Sequence, residues 1–273
     1  MVDDAEISRT TDPQPTGSPF VFFGLVFCLS IPFYWLGAAG GQLPVLTAQP
    51  ISALMAFMPM TAALILVCRD CGVGAAAKLL ARALDYGRAR RVFWCVGAVC
   101  LLPFIAIVQY LVLHLIGTAL PSPIYAIGGI PLFLMMYFAG AVGEELGWQG
   151  YAFPSLRAHH NSLMAAVLIG VFWALWHIVP FLQMGRAAGW IVWHGLSIVA
   201  LRVVMVWLFV RTGQSIFVAS MFHMMINLPW SVIANYGAFY DPQITLLILL
   251  LPTGLMIAFW RTADTPQDRI SYG

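Results

Sequence analysis

Long apolar runs recur along the chain, with polar residues gathered in short stretches between them, and the runs approach the roughly 20 residues a helix needs to cross hydrocarbon. On that ruler, helices fall near residues 20–38, 51–68, 92–117, 130–150, 162–183, 189–210, 214–234 and 243–260. The pattern predicts an all-α polytopic membrane protein with about eight transmembrane helices. No internal repeat and no second domain are visible. Residues 1–19 read as a disordered cytoplasmic tail, 20–261 as one transmembrane domain and 262–273 as a second cytoplasmic tail. The stretch from Gly72 to Arg91 differs from the rest. Val73, Ala76, Ala77, Leu80 and Leu84 alternate there with Lys78, Arg82, Arg88, Arg90 and Arg91. That fits an amphipathic helix on an anionic leaflet, or else a solvated basic loop.

Composition narrows the class. The chain is 61% hydrophobic and 9% charged, with a mean hydropathy of +0.87, whereas a soluble domain carries about 25% charged residues. An ordinary soluble globule is excluded. A formal net charge of +2 without a basic, aromatic-interleaved stripe also excludes a nucleic-acid partner, and leaves the bilayer itself as the first partner. Basic residues set the orientation. Arg9, Arg69, Lys78, Arg82, Arg88, Arg90, Arg91, Arg157, Arg211, Arg261 and Arg269 fall on the side of both termini, and Arg186 alone falls on the other. Both termini are therefore expected in the cytoplasm of a multi-pass plasma-membrane protein, of bacterial type. The N-terminus lacks the basic region of a cleaved signal peptide. Cys68 and Cys71 have CxxC spacing but no second pair to complete a zinc site, so the cysteines read as structural thiols.

Candidate chemistry begins with the glutamates. The chain has three, and Glu144 and Glu145 are consecutive at the end of an apolar run. Ionisable groups at membrane depth are costly and mark function. Consecutive helical positions point about 100° apart, so one carboxylate can face a cavity while the other reaches a neighbouring helix. Two carboxylates so close resist joint ionisation, which suits one of them to general-base work. A helix end in the aqueous interface is the plainer alternative. His177 sits in a span otherwise free of ionisable groups, one turn after Trp173, and could accept a proton, orient water or bind zinc. His223 and Asn227, also one turn apart, could donate jointly to a developing oxyanion or serve as interhelical polar glue. Arg202 lies inside the sixth span and either snorkels to the interface or pairs with a buried carboxylate. His114, His159, His160 and His194 carry no expected role.

Gly143-Glu144-Glu145-Leu146-Gly147-Trp148-Gln149-Gly150-Tyr151, the Trp173-to-His177 element and the His223-to-Asn227 element occur in order on three spans. They resemble the EExxxR, FxxxH and HxxxN motifs of the CPBP intramembrane proteases, which include CAAX prenyl endopeptidases and bacteriocin-processing or immunity proteins. The similarity covers roughly residues 60–235. It implies a catalytic cavity among the fourth, fifth and seventh spans. There Glu144 would be the water-activating base, His177 its partner, His223 with Asn227 the oxyanion-stabilising pair and Glu145 a supporting carboxylate. The substrate implied is a membrane-embedded or lipidated peptide, with CAAX-type tails as one class. Two positions depart from the pattern: Gln149 stands where the family has arginine, and Trp173 where it has phenylalanine. Gln149 removes a cation that would orient a glutamate, a role Arg202 could take over. The residues leave the cofactor open: Glu144, His177 and His223 could form a His₂Glu zinc site, or activate water without metal. Two other functions remain open, a catalytically impaired membrane scaffold or immunity protein and a proton-coupled transporter. By straight-helix counting the three motifs sit at different depths. Their convergence requires tilted or broken helices, for which Pro154, Pro180 and Gly170 are the expected places.

Overall fold

The computed structural model describes residues 17–40, 51–88 and 92–260. Most of the expected tail at 1–19 and all of that at 262–273 lie outside the described residues, as do Arg9, Arg90, Arg91, Arg261 and Arg269. The described helices are α1 (Pro19–Ala38), α2 (Met58–Cys71, entered through a 3-10 turn, Ile51–Phe57), α3 (Val73–Ala81), α4 (Val92–Leu115), α5 (Ile130–Gly147), α6 (Phe153–Arg157), α7 (Ser162–Trp176), α8 (Ile178–Gln183), α9 (Ala188–Arg211), α10 (Ile216–Asn227), α11 (Pro229–Val232) and α12 (Pro242–Ala258). The chain is an all-α polytopic membrane protein. Among the described residues, six helical segments are long and apolar enough to cross a bilayer, and two shorter apolar ones, Ile216–Val232 and Pro242–Ala258, occupy the places expected of the seventh and eighth spans. The seventh is interrupted where Pro229, with no amide hydrogen, ends α10. Asp241 starts the eighth by accepting hydrogen bonds from the amides of Gln243 and Ile244.

Three interruptions bring the motifs to one level. After Gly147 the fourth span widens into a π turn, Trp148–Ala152, before α6 resumes just ahead of Pro154. The fifth span breaks at His177, between α7 and α8. Pro180 cannot donate to the carbonyl of Trp176, and the hydroxyl of Tyr34 in α1 donates to it instead, at 2.8 Å. The same α1 presents Ser30, which accepts the indole N–H of Trp176 at 2.8 Å. Gln183, at the end of α8, donates to the carbonyl of Tyr34 and accepts from Ser52. The third interruption is the stop at Pro229.

Helix α9 runs through the middle, buried almost continuously from Ser197 to Phe209, with α7 and α12 against it. Helix α5 packs on α2 and α10. Its approach to α2 depends on Gly143 and Gly147, one turn apart. A Cβ at Gly147 would lie 2.5 Å from the backbone of Pro59, and one at Gly143 would lie 2.9 Å from the carbonyl of Ala56. Small residues at this spacing let two backbones meet, and Glu144 and Glu145 sit between them.

The Gly72–Arg91 stretch is helical at α3. Ala75, Ala76 and Leu79 are buried, while Val73, Leu80 and Leu84 are exposed. It leads to Asp85, whose carboxylate accepts from Ser215 Oγ and from the amides of Ile216 and Phe217, capping α10.

Candidate active site

The two glutamates diverge. Glu145 is fully buried and points to α9 and α10, where Arg202 Nη1 donates to Oε2 at 2.6 Å and His223 Nδ1 donates to Oε1 at 2.8 Å. Glu144, 5% exposed, lines a cavity of about 350 Å³. Its Oε2 accepts the indole N–H of Trp173 at 2.6 Å and that of Trp148 at 3.2 Å. Its Oε1 is 3.8 Å from His223 Nε2, too far for a direct hydrogen bond. One carboxylate is thus locked into an ion-pair network, and the other is held by one oxygen with the second left available.

Trp173 joins the two halves. Its indole N–H binds Glu144, while the guanidinium of Arg202 lies over its ring at 4.1 Å from the centroid. A phenylalanine could supply the ring face but not the N–H, so tryptophan at this position does more than line a wall. Arg202 is fully buried and does not snorkel. Its partner Glu145 removes most of the cost of burying either charge alone. Gln149 lies in the π turn, also fully buried, and its amide makes no hydrogen bond among the described residues. The cation on the paired glutamates therefore comes from the sixth span.

His177 sits at the α7–α8 break and lines the cavity. Its Nδ1 is 2.9 Å from the carbonyl of Trp173. A carbonyl only accepts, so Nδ1 carries the hydrogen, and in the neutral ring Nε2 is the free acceptor. His223 is fixed in the same way by Glu145, with Nε2 turned toward Glu144. Asn227, one turn further along α10, lines the cavity and makes no side-chain hydrogen bond among the described residues. No hydrogen bond among the described residues joins Glu144 and His177; they are related by the cavity and by their shared neighbour Trp173.

Three expectations change. The cavity is not bounded by the fourth, fifth and seventh spans alone: Ala53 to Phe57 before α2, and Trp190, His194, Ile198 and Leu201 of α9, also line it. Packing between helices decides this, and no local pattern announces it. The conditional zinc trio is not assembled, since no group of three His, Cys, Asp or Glu among the described residues is placed to hold a metal ion. His223 spends Nδ1 on Glu145, and His177 spends Nδ1 on a carbonyl. His194, given no role from sequence, lines the cavity with its Nδ1 2.5 Å from the hydroxyl of Tyr240. Trp148 was likewise missed as a donor, although its i, i+4 spacing from Glu144 was a usable signal.

Residues 125–229 match the family model described as type II CAAX prenyl endopeptidase Rce1-like. A curated relative, CAAX prenyl protease 2 of Methanococcus maripaludis, is 33% identical over 114 residues, which cover 38% of this chain and 41% of that protein. The chain thus spans less than half the length of the curated relative it matches. All the motif residues, from Glu144 through His177 and Arg202 to Asn227, fall within the matched segment. Over that segment the chain resembles the type II CAAX prenyl endopeptidases of the Rce1-like family.

Proposed function

We propose that the chain is an intramembrane endopeptidase that hydrolyses peptide bonds of membrane-associated substrates with Glu144 as the base. The observation that carries this reading is the division of labour on one carboxylate. Two indole N–H groups hold Glu144 Oε2, which orients the group, while Oε1 faces the cavity opposite His223.

In this mechanism a water in the cavity donates one hydrogen to Glu144 Oε1 and the other to the free Nε2 of His177. Glu144 takes the proton as the water oxygen attacks the scissile carbonyl carbon. The carbonyl oxygen becomes an oxyanion, which accepts hydrogen bonds from Nε2–H of His223 and from the carboxamide of Asn227. When the tetrahedral intermediate collapses, the carbon–nitrogen bond breaks and Glu144 returns its proton to the leaving amine. For His223 to donate from Nε2 while Nδ1–H binds Glu145, the ring must be an imidazolium. That form makes the buried cluster neutral, with Glu144 and Glu145 balanced by Arg202 and His223. Arg202 and Glu145 act as positioning residues, holding His223 in this orientation.

The cation missing at Gln149 does not argue for an inactive scaffold, because Arg202 already supplies a buried cation to Glu145. The test is cleavage of a membrane-peptide library, including prenylated CAAX tails, by purified protein in detergent. Cleavage that disappears in Glu144→Gln supports the reading. Full activity in that variant removes Glu144 from the chemistry, and no cleavage by a folded wild type leaves the scaffold.

A further inference from the structure

At the basic end of the bundle, where Arg69 and Arg211 close α2 and α9, the stretch from Val73 to Arg88 is helical but does not cross the membrane. Gly72, at φ +83°, turns the chain out of α2 through a conformation that glycine adopts readily. The nine residues of α3 rise only about 14 Å, half of what a bilayer core requires. This short helix has two apolar faces. Ala75, Ala76 and Leu79 are buried, and Leu79 packs on the π turn of the fourth span, where a Cβ at Gly150 would lie 2.7 Å from its Cδ1. Val73, Leu80 and Leu84, spaced seven and four residues apart, form a single stripe that is exposed.

Cations edge that stripe. Lys78 is exposed, and Arg82 and Arg88 each hold Nε 3.7 Å from Asp85 Oδ2. From Val73 to Arg88 these three cations stand against the one carboxylate of Asp85, a formal charge of +2. The other side of the stretch grips the site helices. Asp85 caps α10, and Arg82 Nη2 donates to the carbonyl of Gln214 at 2.7 Å. The exposed Tyr86 meets Phe217 of α10 edge-on at 6.2 Å between ring centroids, and Phe217 meets Phe138 of the fourth span at 5.4 Å.

We propose that α3 and the turns that lead to Arg88 form a docking surface for anionic phospholipid headgroups, and that lipid held there stabilises the start of α10. The occupant follows from the two features together: acyl chains cover the apolar stripe, and anionic headgroups answer the cations at its edge. A small free anion would leave the stripe uncovered, and a zwitterionic lipid brings no net charge. The stretch touches both α10 and the fourth span, so a lipid that orders it also holds the helices bearing His223 and Glu144. None of this depends on what the cavity does chemically.

The test is thermal unfolding of the full chain in nonionic detergent, titrated with phosphatidylglycerol, with phosphatidylcholine or with soluble glycerol phosphate. A ligand that binds only the folded chain raises its unfolding temperature with occupancy. Phosphatidylglycerol should raise it, and the other two should not. Equal stabilisation by phosphatidylcholine reduces the surface to an apolar contact, and equal stabilisation by glycerol phosphate makes it a site for a free anion; either overturns the proposal. Lys78→Glu, which changes the charge of the stretch by two at an exposed position, should weaken phosphatidylglycerol binding on the order of 10- to 30-fold. If that variant fails to fold, Lys78→Gln takes its place with a smaller expected loss. A titration superimposable on the wild type in the folded variant overturns the proposal. Amide hydrogen exchange places the effect: phosphatidylglycerol should slow exchange at residues 73–88 and at Ile216 to Val218, and slowing confined to other segments overturns it too. Cleavage enters none of these measurements, so failure of the endopeptidase reading and failure of the lipid surface are read separately.

Discussion

Arg202 Nη1 and Glu145 Oε2 are 2.6 Å apart, and neither side chain exposes any surface. The pair crosses from the sixth span to the fourth and sets the position of His223 through the second carboxylate oxygen. Removing one partner leaves a buried charge, at a cost of about 3–5 kcal/mol. Arg202→Gln should therefore lower the thermal unfolding transition in detergent sharply. Combining it with Glu145→Gln should recover much of that loss, because no lone charge remains. A double variant no more stable than the single one would mean that the pair is not a coupled unit.

Trp173→Phe keeps a ring beneath Arg202 and deletes the shorter of the two indole hydrogen bonds to Glu144. Hydrogen bonds to charged groups contribute about 1.5–3 kcal/mol. Cleavage should fall roughly 10- to 100-fold, and the unfolding temperature should fall with it. Trp148→Phe, at the longer contact, should fall less. Equal effects from the two would argue that Trp173 acts by shape.

Asn227 lines the cavity, and the proposed mechanism has it act on the transition state. Asn227→Ala should lower kcat about 10²- to 10³-fold with KM almost unchanged. A variant changed only in KM would make Asn227 a substrate-binding group.

Glu144 and His177 line the same cavity, and the proposed mechanism makes them share one water. Residues that act as a unit are non-additive. Glu144→Ala, His177→Ala and the double variant should lose similar amounts of activity, measured as single-turnover rates. Losses that multiply would take His177 out of water activation.

Asp85 caps α10 from the basic end through Ser215, Ile216 and Phe217, 3.7 Å from the Nε atoms of Arg82 and Arg88. Loss of an N-cap costs about 0.5–2 kcal/mol. Asp85→Ala should lower the unfolding temperature while the activity of the remaining folded protein is retained, as read by active-site titration against total folded protein.

Some of this arrangement was legible in the residues alone. Two adjacent glutamates on a helix must diverge, and charge counting inside the spans left Arg202 as the available cation for one of them. Both inferences depend on helical geometry and on the cost of isolated charge, which act locally or globally but need no knowledge of packing. The hydrogen bonds from Trp173 and Trp148 were not legible, because a tryptophan among apolar residues reads first as wall. His194 was passed over for a similar reason: a lone histidine near a span end gains meaning only when Tyr240 and the cavity are brought to it. The parts of the cavity lined by the second and sixth spans depend on which helices are neighbours, and periodicity is silent on that.

The bend that places His177 is held from outside residues 125–229, the segment that matches the family model. Tyr34 and Ser30 grip Trp176 from both its carbonyl and its indole, and α1 ends at Ala38, well before residue 125. The motif-bearing region is consequently not a transferable cassette. Cut out or grafted into another set of helices, it would keep its glutamates and histidines but lose the donor that replaces Pro180. The fifth span would then be free to choose a different angle, and any minimal version of this protein has to carry its first helix along.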